Sequence, residues 1–221
     1  MKIYLTVFFA VICSTSYAQT RQCGCATDSM IPNGSIDCSS KKLSNGSELY
    51  WQVNCKRVWL TLRNSISKKE IVLDEVPIEY YGYTFRLGFH LAKEYGKTLL
   101  FRSGCPVNGP CNFILVDKNT GKRVGEYGEL IYDHSEETFY DFVIFFSSES
   151  QVTLEYIDTG EKYNFKVNPE HFDALVPEYV FEKVFIKNDI LYLQYNQGEI
   201  KIDLKSKRRI TSAYVQPGGR F

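Results

Sequence analysis

Short runs of alternating apolar and polar residues recur along most of this chain, and turn signals separate them. A period of two with β-branched and aromatic residues is typical of strands that bury one face. Four pairs of runs share a hairpin layout, with turn centres near residues 66, 119, 159 and 197. The hairpins are 57–62 with 70–74, 112–117 with 122–124, 151–156 with 161–167, and 190–195 with 199–204. A further strand precedes each one, at 49–53, 98–101, 142–146 and 180–186.

The spacing of these hairpins indicates how they are assembled. The last two steps between turn centres are about 40 and 38 residues, close to the roughly 40–45 residues of a propeller blade. One hairpin sheet cannot bury both of its faces, whereas radial stacking of several sheets can. We therefore predict an all-β fold, a small and degenerate propeller-like array of antiparallel β-meanders over residues 48–215. In this fold the segment 210–215 returns to complete the first blade.

A two-sheet β-sandwich is the alternative fold, because it gives the same strand spacing without true repeats. Two further local predictions apply to either fold. The alternation from Tyr83 to Leu91 predicts a strand. The stretch from Asn168 to Val176 begins with an N-cap residue and a proline, which predicts one or two helical turns ending at Pro177.

The N-terminus carries the features of a secretory signal peptide over residues 1–18. Lys2 precedes an apolar run over residues 3–13, and small side chains follow at Ser16 and Ala18. The run has about half of the roughly 20 residues that a membrane-spanning helix needs. We expect cleavage after Ala18 and a periplasmic or secreted location, with no transmembrane segment after removal of the signal.

Six cysteines remain in the mature chain, and an even number in an exported protein predicts disulfides. Cys105 and Cys111 enclose a loop with Pro and Gly that turns back on itself, so we pair them. The other four are Cys23, Cys25, Cys38 and Cys55.

A bridge between Cys23 and Cys25 would be strained, so each must reach either Cys38 or Cys55. We prefer the nested order, Cys25 with Cys38 and Cys23 with Cys55; the crossed order is the alternative. A metal site built from these four cysteines would lack the paired C-x-x-C spacing of zinc ribbons, so we expect no metal.

The residues flanking the β-rich domain differ from it in composition. Residues 19–47 are rich in Gly, Ser, Asn, Asp and Cys and have little periodicity, which predicts an irregular, disulfide-tied segment. Residues 216–221 are expected to form a flexible tail.

The chain has 26 Lys+Arg and 26 Asp+Glu, so no basic excess exists to neutralise the phosphates of a nucleic acid.

Candidate catalytic or metal-binding residues are few. The three histidines, His90, His134 and His171, lie in neither a G-x-S-x-G nor an H-E-x-x-H motif, and we interpret them as ordinary loop or surface residues. An acidic cluster lacks the residue order of a calcium loop and is interpreted as a solvated loop; it comprises Asp133, Glu136, Glu137 and Asp141. A basic run is interpreted as a means of keeping a strand edge in solution; it comprises Lys205, Lys207, Arg208 and Arg209.

Tyrosines are the most suggestive binding residues. Tyr80, Tyr81 and Tyr83 lie in a Gly-containing loop, and tyrosine gives a large contact area at low entropy cost. We therefore expect an exported, non-enzymatic protein-binding module, such as an inhibitor or immunity-type protein. It would need no cofactor, and its partner would be another protein in the envelope or extracellular space. The alternatives are a secreted hydrolase or carbohydrate-active enzyme with a loop-built site, and a structural cell-envelope protein.

Overall fold

A computed structural model describes residues 22–25, 36–83, 88–106, 109–172, 174–196 and 198–210 of the chain. For residues 81–83 the backbone alone is described. The predicted signal peptide, the predicted tail and residues 211–215 lie outside the described residues. No helix within the described ranges is long and apolar enough to cross a membrane.

The fold is all-β, as the sequence predicts. Its strands form four antiparallel sheets, and each sheet contains strands that are consecutive in sequence. The first sheet contains β1 (Lys41–Lys42), β2 (Glu48–Val53), β3 (Arg57–Arg63) and β4 (Glu70–Pro77). The second contains β5 (His90–Glu94), β6 (Thr98–Ser103), β7 (Asn112–Asp117) and β8 (Arg123–Tyr127). The third contains β9 (Phe142–Ser148), β10 (Gln151–Tyr156) and β11 (Lys162–Lys166). The fourth contains β12 (Phe181–Lys187), β13 (Ile190–Tyr195), β14 (Gly198–Asp203) and β15 (Arg208–Ile210).

The four predicted hairpins are all present, as β3–β4, β7–β8, β10–β11 and β13–β14. Their turns are made by local chemistry. In the β7–β8 turn, Asp117 accepts hydrogen bonds from the amides of Asn119 and Thr120, and Gly121 takes a positive φ of 67°. Only glycine adopts this region readily, so the turn closes where the sequence indicates.

Two local predictions are modified by the structure. The strand predicted from Tyr83 begins only at His90, and Tyr83 instead ends a short 3₁₀ helix, η1 (Ile78–Tyr83). The register places His90 opposite Arg102, and β6 ends one residue later, so a longer β5 would have no partner. The helical turns predicted over residues 168–176 include the 3₁₀ helix η2 (Pro169–Phe172), whereas a second 3₁₀ helix, η3 (Pro177–Val180), begins at the proline predicted to end the helix.

The core joins the sheets in their order along the chain. One apolar cluster contains Leu60 of the first sheet and Phe101 of the second, and another contains Leu100 of the second and Val143 of the third. A third cluster packs the third sheet against the fourth. Because Leu100 and Phe101 point to opposite faces, the second sheet is buried on both sides.

No cluster among the described residues contains side chains of both the first and the fourth sheet. The segment that we expected to return to the first blade begins at Ile210. Ile210 ends β15 and pairs with Lys201 of β14, in the fourth sheet.

Three disulfides are present, and the preferred N-terminal pairing is wrong. The structure joins Cys23 to Cys38 and Cys25 to Cys55, which is the crossed order. The physical reason is a short parallel pairing between Cys23 and Val53, in which the amide of Gly24 donates to the Val53 carbonyl. The two segments run parallel from Cys23 and Val53. Two residues further along them, Cys25 lies beside Cys55, with their Cα atoms 4.8 Å apart. The third disulfide joins Cys105 to Cys111, the pair that their loop predicts.

Candidate functional site

A cleft of about 760 Å³ lies between the β9–β10 turn and the segment that contains η2 and η3. This volume is within the range of about 300–1,000 Å³ that is typical of binding sites. The cleft is lined by Phe146, Ser147, Ser148, Glu149, Pro169, Glu170, Phe172, Ala174 and Pro177. It therefore combines an apolar floor with hydroxyl and carboxylate groups.

The floor of the cleft is continuous with the hydrophobic core. The rings of Phe146 and Phe172 meet edge to face, with centroids 5.4 Å apart, and Phe172 stacks on Phe181 at 5.3 Å. Phe172 and Phe181 are both buried in the cluster between the third and fourth sheets. The floor is therefore held rigidly by residues from three separate parts of the chain.

The opposite wall is formed by the connection between β11 and β12. Asn168 shapes its start, since its side-chain oxygen accepts from the amide of Glu170 and its carbonyl accepts from the amide of His171. Pro169 and Pro177 each begin a 3₁₀ helix, a position where their lack of an N–H costs nothing. Leu175, between the two helices, has 84% of its surface exposed.

The charges at the cleft have one sign. Glu149 and Glu170 are exposed at its rim, and none of the residues that line it is basic. Neither carboxylate forms an ion pair with a described residue, although Asn168 donates a long hydrogen bond of 3.4 Å to Glu170. A ligand that carries a positive charge next to an apolar group would complement this arrangement.

The predicted tyrosine surface is described only in part. Tyr80 lies in η1 and has 55% of its surface exposed, as an interface residue requires. Its neighbour Ile78 packs against the small cluster of Val53 and Val58, which anchors this end of η1. The side chains of Tyr81 and Tyr83 lie outside the described residues, so the role of this loop stays a prediction.

The three histidines occupy different environments. His90 lines a cavity of about 280 Å³ with Arg102 and Glu137. His134 lies against Tyr132, with ring centroids 4.1 Å apart, and partial burial lowers its pKa. His171 has its Nδ1 atom 3.2 Å from the Tyr195 hydroxyl. His90 and His134 are both near Arg102 and Glu137, whereas His171 lies against Phe172 and Tyr195.

The acidic cluster is divided among separate interactions. Asp133 accepts hydrogen bonds from the amides of Ser135 and Glu136, which is local turn chemistry. Glu137 pairs with Arg102 at 3.0 Å, and Asp141 pairs with Lys93 at 3.2 Å. Within the described ranges, no group of three or more His, Cys, Asp and Glu side chains is arranged to hold a metal ion.

The basic run lies on and before the edge strand β15. Lys205 pairs with Asp189 at 2.7 Å, and both side chains are well exposed. Lys207 donates a hydrogen bond to the Tyr156 hydroxyl and its ammonium lies 4.0 Å from the centroid of that ring. Arg209 donates to the backbone carbonyl of Lys166 at the end of β11. Three of the four basic residues therefore make contacts within the protein.

Sequence reasoning missed a buried carboxylate. Glu129 has only 3% of its surface exposed and accepts hydrogen bonds from the Cys111 amide, the Leu130 amide and the Tyr179 hydroxyl. Burial, and then the hydrogen bond to Glu129, raises the pKa of Tyr179, so its hydroxyl stays protonated and donates. This contact fixes η3 against the loop closed by Cys105 and Cys111. Nothing in the sequence around Glu129 marks it as buried.

Comparisons with known proteins add little. No protein-family model and no curated protein matches the chain. Among solved structures, the chain is similar to the crystal structure of an uncharacterized protein from Listeria monocytogenes EGD-e, with 11% sequence identity and a TM-score of 0.33. The match covers 80% of this chain and 55% of the other, so this chain spans about half the length of that protein.

Proposed function

We propose that this chain is an exported protein that acts by binding another protein and catalyses no reaction, in the manner of an inhibitor or immunity-type protein. The observation that carries the proposal is the cleft beside Leu175, where the partly exposed ring of Phe146 lies among exposed polar groups and a large aliphatic side chain is 84% exposed. Open apolar surface of this kind, rimmed by polar groups, marks sites of protein–protein contact.

Two further features support the proposal. Three disulfides are typical of chains that fold in an oxidising compartment, which agrees with the signal peptide predicted over residues 1–18. The charges of the chain balance at 26 of each sign, so specificity would come from local shape and local charge rather than from an overall electrostatic field. The partner would be a protein of the envelope or extracellular space.

The experiment is affinity capture from the native periplasm or culture medium with the immobilised mature protein, followed by titration of the captured partner. Leu175→Ser should weaken binding by about tenfold or more, because an exposed apolar anchor can contribute 1–2 kcal/mol to an interface. Ile66→Ser is the matched control: Ile66 is 89% exposed, but it lies in the β3–β4 turn of the first sheet. Equal affinity of both variants and wild type would place the contact surface away from the cleft.

A further inference from the structure

We propose that the outer face of the fourth sheet joins two copies of this chain into a weak, symmetric dimer. The inner face of this sheet packs against the third sheet and includes Val184, Leu193 and Ile200. Side chains one position along each strand point the opposite way and form the outer face. None of these outward side chains belongs to an apolar cluster of the described residues or lines the cleft. The inference therefore goes beyond the binding function proposed for the cleft.

The strand register defines the central row of this outer face. The row crosses the four strands and pairs Phe185 with Tyr192, Tyr192 with Lys201, and Lys201 with Ile210. The rings of Phe185 and Tyr192 are stacked, with centroids 4.8 Å apart and an interplanar angle of 4°. The ammonium of Lys201 lies 5.6 Å from the centroid of the Tyr192 ring. The row therefore combines two aromatic rings, a cation and an aliphatic side chain.

The apolar groups of the outer face remain in contact with solvent. Phe185, Tyr192 and Ile190 are partly exposed and Ile210 is well exposed, whereas the residues that alternate with them along the strands are mostly buried. Covering adjoining apolar groups with a second surface is favourable by about 25 cal/mol per Å². The face is only four strands wide, so the interface would be at the low end of the usual size range and the dimer would form reversibly.

The charges of the outer face differ between its strands. On β12, the outward residues Lys183 and Lys187 are exposed, and neither forms an ion pair with a described residue. On β14, the residues in the same two rows are Glu199 and Asp203. Lys201 lies between these two acids in the central row and pairs with Glu199. In the two outer rows the face is therefore basic on β12 and acidic on β14, with β13 between them.

This separation of charge determines which symmetry axis is favoured. Two copies can meet face to face about a twofold axis along β13 or about one that crosses the strands. An axis along β13 places β12 of each copy over β14 of the other with the rows in register. Lys183 then faces Glu199 of the other copy, and Lys187 faces Asp203. An axis across the strands would place β12 over β12 and reverse the rows, so Lys183 would face Lys187. Opposite charges therefore favour the axis along β13.

The centre of the face agrees with the same axis. Tyr192 lies on β13, so it would meet Tyr192 of the other copy, and aromatic pairs of this kind are favourable when offset or edge to face. Phe185 of one copy would lie over Lys201 of the other, a cation–π arrangement. Sheets that pack face to face lie about 10 Å apart, a distance that these long side chains span from both sides.

The first test is sedimentation velocity of the mature protein, without any partner, from about 10 µM to about 1 mM. We expect a reversible equilibrium between monomer and dimer. Tyr192→Lys places two ammonium groups on the axis and should leave the protein monomeric throughout this range. The matched control is Ile66→Lys, because Ile66 is 89% exposed in a turn of the first sheet and lies outside the face. Wild-type protein that is monomeric at every concentration would overturn the proposal.

Exchange of charges tests the axis. Lys183→Glu and Glu199→Lys should each weaken the dimer by about tenfold, because each change acts twice in a symmetric pair. An equimolar mixture of the two variants should regain the wild-type affinity, and so should a chain that carries both changes. A Lys183→Glu variant that dimerises more tightly than wild type would indicate the axis across the strands and overturn this arrangement. Failure of the mixture to regain affinity would also overturn it.

Two further measurements separate this dimer from other contacts. Leu175→Ser, which tests the cleft, should leave the dimer unchanged, and a dimer lost in this variant would place the contact at the cleft instead. Dimerisation that appears only after removal of residues 211–221 would mean that the chain's own C-terminal segment occupies the outer face. Either result would overturn the proposal without bearing on whether the cleft binds a protein.

Discussion

The substitution Lys118→Met tests a buried ion pair of the second sheet to which a turn of the first sheet is hydrogen-bonded. Lys118 lies in the β7–β8 turn with only 1% of its side chain exposed, and its ammonium donates to Ser44 Oγ at 2.8 Å and to Glu94 Oε1 at 2.9 Å. Ser44 belongs to the β1–β2 turn and also donates to Glu94 through its amide and its hydroxyl. The ion pair lies within the second sheet, because Glu94 ends β5 and Lys118 follows β7, and the hydrogen bonds of Ser44 join the first sheet to both of its members.

The magnitude follows from the carboxyl group of Glu94. Partial burial raises its pKa, but the hydrogen bonds from Lys118 and Ser44 outweigh burial and hold the pKa at about 2, against an ordinary value of 4.5. The Glu94 side chain is 22% exposed, so solvent screening is limited. This difference corresponds to at most about 3 kcal/mol of folding free energy at neutral pH, and Lys118 supplies only part of it because the hydrogen bonds from Ser44 remain in the variant. Breaking a buried pair by removal of one partner costs a similar roughly 3–5 kcal/mol. Lys118→Met should therefore lower the melting temperature by about 6–12 °C.

The assay is urea unfolding of wild type and Lys118→Met across a pH series. A carboxyl whose folded pKa is depressed stabilises the fold above its unfolded pKa, and this contribution is lost as the pH falls toward the folded pKa. The difference between the two proteins should therefore be largest at neutral pH and shrink between about pH 5 and pH 2. Adding Glu94→Gln to Lys118→Met should cost less than the sum of the single changes.

The control is Lys205→Met, which breaks the exposed pair with Asp189 and should leave the urea midpoint unchanged. If Lys205→Met and Lys118→Met were equally destabilising, or if the effect of Lys118→Met did not vary with pH, the assignment of a stabilising buried ion pair between Lys118 and Glu94 would be refuted.

Three more predictions concern the Tyr179 hydroxyl, Gly121 of the β7–β8 turn and the tyrosine loop. Tyr179→Phe removes a 2.9 Å hydrogen bond from the buried carboxylate of Glu129 and should cost about 1–3 kcal/mol in thermal or urea unfolding; no loss would mean that water replaces the hydroxyl. Gly121→Ala adds a methyl group at a positive φ of 67°, 2.7 Å from a side chain of β4. We expect the free energy of unfolding to fall by about 1–3 kcal/mol. Unchanged stability would contradict this contact. The double change Tyr80→Ala and Tyr81→Ala should weaken partner binding by about 30-fold with little change in melting temperature. A large loss of stability would show instead that these tyrosines belong to the core.

The sequence by itself determined the local architecture. Alternation with period two, closed by turns such as 117–121, predicts all four hairpins and the strand before each one. These features depend on neighbouring residues: the side-chain oxygen of Asp117 reaches amides two and three positions ahead, and Gly121 supplies the positive φ. The loop between Cys105 and Cys111 is local in the same sense. Such interactions can be deduced from a short window of sequence because no distant residue takes part.

Only the tertiary structure decided what distant segments do to one another. Cys25 pairs with Cys55 because the segment around Cys23 runs parallel to the end of β2. The spacing of the cysteines in the sequence does not reveal this alignment. Lys118 is part of a polar turn in the sequence, yet the turn of a neighbouring sheet covers it. The cleft joins the β9–β10 turn to a connection about twenty residues later. Burial is a property of packed sheets, so the residues that carry it have no signature until the sheets are assembled.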